Sequence, residues 1–276
     1  MPLSHVEDLD DPRLEDFRDI RDRDLRGRDG IFLGEQTLVV EQMLKNPALL
    51  RRILVIESRK DWLESALSRH GNPEVECLVA PRSLLEEIAG FDVHRGVLAS
   101  ANRATLDGRS LHQVLPARSE PATVLCCQAI NNIDNIGMLF RIAAAFGVDA
   151  LLLDPTCHDP LYRKSLRVSI GHALRIPFVR SQDWFADLDA LRKTHGFTLL
   201  ASAISEHSSS LDTYTLPPDS RRVAIVLGSE FDGVCQRTKD ACEETLRIPM
   251  ALDVDSLNVG VAAAVLLNRL SQADRA

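Results

Sequence analysis

The feature that most constrains this chain is an apolar run, Val261 to Leu270, entered directly from a polar segment that follows a short strand. The segment reads Ile248-Pro-Met-Ala-Leu-Asp-Val-Asp-Ser-Leu-Asn-Val-Gly260. Pro249 stops the strand. Ser256 stands where a helix N-cap belongs, because a serine hydroxyl accepts from the free N–H groups of a first turn. Two further polar loops stand upstream in the same relation to a strand. Asn135-Ile-Gly-Met-Leu-Phe-Arg141 opens a helix after the apolar run Thr123–Ala129, and Gly228-Ser-Glu-Phe-Asp-Gly233 closes the run Val223–Leu227.

Between those loops strands and helices alternate. Helices are expected over Ile136–Phe146, Arg163–Ser169, Asp183–Thr194 and near Gln236–Glu243, with strands at Ala150–Leu153, Thr198–Ala201 and Leu246–Ile248. Such alternation implies an α/β fold with a mostly parallel sheet covered on both faces. Ligands of such sheets bind beyond the carboxyl ends of the strands, where all three polar loops fall. A conventional dinucleotide-type site needs Gly-x-Gly-x-x-Gly after the first strand. Here Asn131-Asn-Ile-Asp-Asn-Ile-Gly137 carries one glycine, which excludes it.

The N-terminal part reads as a separate, smaller α/β unit. Residues 1–12 form an acidic, disordered lead, residues 13–104 a compact domain, residues 105–121 a linker, and residues 122–276 the second domain. Within the first domain the stretch from Phe32 to Leu44 reads as a turn and helix, Arg52–Glu57 as a buried strand, and Asp61–Arg69 as a helix.

No stretch reaches the roughly 20 apolar residues of a membrane span, and the acidic N-terminus lacks a signal core, so a cytoplasmic protein is expected. The cysteines, at Cys77, Cys126, Cys127, Cys157, Cys235 and Cys242, show no Cys-x-x-Cys spacing. They read as reduced, mostly core thiols with no structural metal. A net charge of −8 argues against indiscriminate nucleic-acid binding. Its distribution leaves one basic stretch, Arg163, Lys164, Arg167, His172, Arg175 and Arg180, free of acidic residues. The arginines from Arg13 to Arg28 alternate with acidic residues and read as a self-paired, solvated face.

In order and in residue content, the three loops resemble the signature motifs of the SpoU (TrmH-like) branch of the SPOUT RNA methyltransferases, over roughly Ala122 to Leu270. The resemblance implies a deep trefoil knot in the C-terminal domain, which pattern alone would never suggest. It implies a homodimer paired through the final helix, and S-adenosylmethionine as methyl donor. The partner is an RNA, with ribosomal RNA favoured over transfer RNA. Arg-Gly-Arg-Asp-Gly-Ile-Phe-Leu-Gly-Glu35 and His94-Arg-Gly-Val-Leu-Ala resemble an L30e-like RNA substrate-binding domain.

The family's reaction is methyl transfer to a ribose 2′-hydroxyl. The sulfonium donor is already activated, so positioning and electrostatics at the acceptor dominate. The resemblance makes Arg141 the central catalytic residue. Its high pKa favours holding a phosphate and stabilising developing alkoxide over acting as a base. Asn135 either orients that arginine or caps its helix. Glu230 orients Arg141 or the Asn258 loop, Ser256 caps or binds, and Asn258 reaches ribose or phosphate. Main chain at Gly228, Ile248 and Leu257 holds the donor, with Gly228 giving its adenosine a close approach. Two positions depart from the family's pattern. Ile133-Asp134 replaces a usual Asp-Pro, and Gly260 stands where serine is frequent. Two other readings are a SPOUT-fold RNA-binding protein without catalysis, and an unrelated hydrolase using Ser229 or Ser256. The latter lacks a Gly-x-Ser-x-Gly elbow.

Overall fold

The structure, a computed structural model, describes residues 3–18, 30–71, 74–90, 93, 95–205, 207–229, 231–251, 254 and 256–271. The chain divides into two compact units. The first comprises Met1–Leu106 with Pro160–Arg175, the second Asp107–Asp159 with Ile176–Ala276. Residues 160–175, expected inside the C-terminal domain, therefore group with the first unit.

The first unit holds a five-stranded sheet in the order β1-β4-β3-β5-β2. Its strands are β1 (Ser4–His5), β2 (Ile31–Glu35), β3 (Leu50–Ile56), β4 (Glu76–Ala80) and β5 (Val97–Asn102). β1, β4 and β3 pair in parallel, while β5 runs antiparallel to both β3 and β2. Helices α1 (Thr37–Leu44), α2 (Lys60–Arg69) and α3 (Arg82–Ala89) alternate with them. Two expectations are corrected here. The acidic lead contributes β1 and the buried Val6, so pairing with β4 orders a segment read as disordered. Residues 32–35, the start of the stretch expected to be a turn and helix, belong to the fully buried strand Ile31–Glu35, because its antiparallel partner β5 satisfies its backbone. Of the alternating arginines, Arg13 pairs with Asp11 at 2.6 Å and Arg18 with Glu15 at 3.7 Å. Arg21, Arg23, Arg26 and Arg28 lie outside the described residues, as does His94.

The second unit is built on a seven-stranded sheet, β10-β12-β9-β11-β6-β7-β8, in which every pairing is parallel. The strands are β6 (Ala122–Cys127), β7 (Ala150–Leu153), β8 (Phe178–Arg180), β9 (Thr198–Ser202), β10 (Ser209–Ser210), β11 (Arg222–Leu227) and β12 (Glu244–Arg247). The central strands are apolar because both faces are covered: every residue of β11 is buried. Arg222 opens that strand with its guanidinium donating to the carbonyls of Ala117 and Glu120 and stacking 4.4 Å over the Phe197 ring. The expected linker carries a short helix, α4 (Leu111–Val114), held by a capping box between Ser110 and Gln113.

Helix α5 (Ile133–Phe146) follows β6, and α6 (Arg163–Val168) belongs to the first unit. α7 (Trp184–Lys193), α8 (Gln236–Ala241) and α9 (Val259–Ser271) complete the second. α9 packs on α5 with Ala263, Leu266, Leu267 and Leu270 buried, a helical i, i+3, i+4, i+7 stripe.

Candidate active site

Three adjacent parallel strands, β12, β9 and β11, end side by side, and the chain leaving each lines one cavity of about 130 Å³. Ala203 and Ile204 come from β9, Gly228 and Ser229 from β11, and Ile248 and Met250 from β12. Ser256 and Leu257, just before α9, close it. This is the carboxyl edge of the sheet, where the polar loops were expected to gather.

The residues expected to hold a donor, Gly228, Ile248 and Leu257, thus share one cavity with Ser256. Among the described residues, none bonds to the main chain at Gly228, Ile248 or Leu257. Backbone N–H and C=O groups require partners when covered, so these are available to a ligand. With apolar walls from Leu227, Leu246, Ile248 and Leu257, the cavity suits a flat, hydrogen-bonding base such as adenine. Gly228 has an additional reason to be glycine. A Cβ there would sit 2.0 Å from the carbonyl carbon of Gly233, where Ser229 and Gly233 bridge and the loop closes on itself. The close approach at Gly228 is first of all that of its own loop.

Beside the cavity the first and third polar loops meet. Asn258 Nδ2 donates to Asn135 Oδ1 at 2.9 Å, and Asn135 is only 4% exposed. Asn258 Oδ1 accepts from Gly260 N at 2.9 Å and Val261 N at 3.4 Å. Asn258 is therefore the cap of α9, not Ser256, which is exposed and lies further upstream. Likewise Asn132, accepting from Asp134 N and Asn135 N, caps α5. Asn135 falls within the first turn, which frees its side chain for Asn258. Gly260 lets the two helices approach: a Cβ would stand 2.3 Å from Met138 Sδ.

Arg141 lies on the exposed side of α5, pairs with no side chain among the described residues, and does not line the cavity. Six residues after Asn135, it points about 120° away around the helix. Glu230 lies outside the described residues, as do Leu252, Asp253 and Asp255 of the third loop. The basic stretch is partly neutralised, for Arg163 and Arg167 of α6 both pair with the buried Glu35 of β2.

Sequence reasoning missed a clamp behind the Gly228 loop. Cys235 N donates to Gln128 Oε1 at 3.1 Å, and Gln128 Nε2 donates to Cys235 Sγ at 3.2 Å. Gln128 is the first residue after β6. The next, Ala129, has φ of 56°, a costly left-handed conformation for a residue with a Cβ. A polar residue ending an apolar strand was the available signal. All six cysteines are free thiols, and Cys77, Cys126, Cys127 and Cys157 are buried. Burial drives Cys157 and Cys242 up to about 12. Cys235 is exposed; partial burial pushes its thiol up, but hydrogen bonds involving Thr238 and Gln128 outweigh this and hold it below the ordinary thiol value.

Residues 122–268 match the model of the SpoU rRNA Methylase family. An uncharacterized tRNA/rRNA methyltransferase of Mycobacterium tuberculosis is 34% identical over 269 residues, covering 96% of this chain and 90% of that protein. The 23S rRNA (guanosine-2′-O-)-methyltransferase RlmB of Coxiella burnetii is 30% identical over 226 residues, 80% and 87% of the two chains. Among solved structures, the SpoU methyltransferase AviRb of Streptomyces viridochromogenes in complex with the cofactor AdoMet superposes with a TM-score of 0.75. It is 23% identical, with 96% and 98% of the chains covered, and so attests the fold. With its family model spanning over half of the sequence and a relative 34% identical across nearly all of it, the chain belongs to the SpoU family of RNA methyltransferases, enzymes that draw their methyl group from S-adenosylmethionine.

Proposed function

We propose that this chain methylates the 2′-hydroxyl of a ribose in a structured RNA, ribosomal RNA ahead of transfer RNA. One observation carries the reading. The cavity at the ends of β9, β11 and β12 offers main chain at Gly228, Ile248 and Leu257 that none of the described residues engages, beside the Asn135–Asn258 bridge. The relatives' names support the acceptor: RlmB of Coxiella burnetii is named for 2′-O-methylation of guanosine in 23S rRNA.

Bound there, S-adenosylmethionine supplies an electrophilic methyl group. The chain's own residues hold and align. Main chain at Gly228, Ile248 and Leu257 takes the edges of the adenosine, and the apolar walls take its faces. Asn258, fixed by Asn135, and Ser256 orient the acceptor nucleotide, while Glu230 serves to orient Arg141 or the Asn258 loop. Arg141 meets the acceptor phosphate and stabilises the charge that develops on the ribose oxygen. Its exposed position keeps it open to a large substrate.

The wider organisation follows the same reading. Residues 13–104 serve as an L30e-like RNA-binding domain, and the second unit, Asp107–Asp159 with Ile176–Ala276, as the catalytic domain. The return of the chain after β12 to pack α9 on α5 supports a trefoil knot. On α9, Val261 and Val265 are exposed one turn apart beside Ala262 and Ala264, a small-residue face suited to pairing two copies of the chain. No helix among the described residues is long and apolar enough to cross a membrane. We place the activity in the cytoplasm, with its RNA.

The test is transfer of a labelled methyl group from S-adenosylmethionine to ribosomal RNA and, separately, to transfer RNA isolated from a strain lacking the gene, followed by mapping of 2′-O-methyl sites. Label at a ribose oxygen supports the reading. Label on a base, or on transfer RNA alone, overturns it in part, and donor binding without transfer overturns it entirely.

A further inference from the structure

Phe231 stands at the tip of the loop between Gly228 and Cys235, and its side chain is 97% exposed. Hydrogen bonds close the base of that loop. Ser229 bridges Gly233, with Gly233 N donating to Ser229 O at 3.0 Å and Asp232 N to Ser229 Oγ at 3.1 Å. Val234 is buried, and the Gln128 clamp fixes Cys235. Ser229 and Gly233, two residues to either side of Phe231, both line the donor cavity. Ile204 and Leu257, also exposed, line it as well. Phe231 itself does not line the cavity but stands on the loop that does, and exposed apolar side chains on and beside such a loop mark a binding surface.

Charge decides what that surface receives. Asp232, exposed beside Phe231, repels a phosphate, and the chain's net charge of −8 gives no general attraction to a polyanion. A nucleotide approaching this tip therefore presents its uncharged base. Every base has a π-face, and aromatic side chains bind unpaired bases by stacking on them.

We infer that Phe231 stacks on an unpaired nucleobase of the RNA at the methylation site, and so selects single-stranded acceptor nucleotides. This rests on the ribose-methylation reading above. Stacking outside the cavity leaves donor binding untouched and strengthens RNA binding.

The experiment uses the full chain with ribosomal RNA from a strain lacking the gene. Phe231→Ala is expected to raise KM for RNA roughly ten-fold, with kcat and the Kd for S-adenosylmethionine within two-fold of wild type. Phe231→Tyr should keep the wild-type KM, while Phe231→Leu should resemble the alanine variant. In Phe231→Trp, saturating RNA should quench emission beyond the change shown by wild type, which carries Trp62 and Trp184. An unchanged KM in Phe231→Ala, full function in Phe231→Leu, or no added quenching in Phe231→Trp each overturns the inference. So does a dimer-to-monomer change in Phe231→Ala by light scattering, which would assign the ring to a protein interface. If wild type transfers no methyl to ribose, the reading beneath fails instead, and the quenching measurement still decides whether Phe231 meets a base.

Discussion

Asn258 gives its Nδ2 to Asn135 Oδ1 at 2.9 Å while its own Oδ1 caps the helix that it opens. One side chain thereby ties the third polar loop to the first and sets where α9 begins. Asn258→Ala removes a cap, at about 1 kcal/mol, and strands a buried carbonyl oxygen, at about 1–3 kcal/mol. We expect a loss of about 2–4 kcal/mol by urea denaturation. Asn258→Asp keeps the cap and loses only the bridge, so it should fall between wild type and Asn258→Ala. An aspartate variant no more stable than the alanine variant would show that the cap contributes nothing.

Gly228 has no room for a side chain, since its Cβ would sit 2.0 and 2.2 Å from the C and O atoms of Gly233. Backbone cannot give way as a flexible side chain can. Gly228→Ala should therefore open the loop and weaken S-adenosylmethionine binding at least thirty-fold by calorimetry, about 2 kcal/mol. The central strands beneath should keep the fold. Binding within three-fold of wild type would mean that this loop does not shape the donor cavity.

Arg141 is exposed on α5 and off the cavity, so its removal should spare the donor. If it stabilises charge at the acceptor, Arg141→Ala should lower kcat roughly 100- to 1000-fold, by analogy with a lost oxyanion donor. Arg141→Lys should also fail, because a point ammonium cannot reproduce the two-pronged guanidinium contact. A lysine variant with wild-type turnover would reduce the requirement to positive charge alone.

Much of this arrangement could be read from the chain, and the rest could not, for definite reasons. Strands such as β6 and β11 announce themselves because both faces are buried, leaving unbroken apolar runs. The cavity residues Gly228, Ile248 and Leu257 are singled out by the resemblance to the SpoU motifs, and the parallel sheet brings the loops that carry them to one edge. The caps were legible only in part, Ser256 reading as a cap and Asn135 as either a cap or an orienting group. Ser256 and Asn135 are good capping types, but Asn258 and Asn132 occupy those positions, and which of several polar residues caps depends on where packing starts the helix. The strand character of residues 32–35 is hidden in the sequence because their partner β5 lies more than sixty residues away. The Gln128–Cys235 clamp spans 107 residues and uses residue types with no motif of their own.

In the first unit, Asp16 is 5% exposed and receives Arg51 Nε and Nη2, each at 2.9 Å, and Ser100 Oγ at 2.6 Å. Burial opposes its charge, but Arg51, Ser100 and the nearby Arg52 outweigh burial and hold the carboxyl below its ordinary value. A depressed folded-state pKa contributes stability above the unfolded value, about 3.9, and loses it as pH falls through the folded value. Asp16→Asn should cost about 2–3 kcal/mol at pH 7. That difference should shrink from about pH 5 downward in urea titrations. A difference constant from pH 7 to pH 3 would show that the carboxylate's charge is not what holds this network.

The clamp behind the Gly228 loop makes the last prediction. Cys235 is exposed with a thiol held below the ordinary value, whereas Cys157 and Cys242 are driven up to about 12. The thiolate is the reactive form, so native protein should lose one thiol to N-ethylmaleimide well before the others, and Cys235→Ser should abolish that fast phase. Alkylation removes the S–H that Cys235 gives to Thr238 Oγ1, and the added bulk parts Cys235 from Gln128. Since Gly228 and Ser229 line the donor cavity at the other end of the same loop, labelling should weaken S-adenosylmethionine binding roughly ten-fold, as losing one or two hydrogen bonds implies. Gln128→Ala should do the same without any label. Cys235→Ser keeps an acceptor for Gln128 and should bind the donor as wild type does, with or without the reagent. Labelled wild-type protein that binds donor normally would show that the loop holds its shape through the Ser229–Gly233 bridge alone.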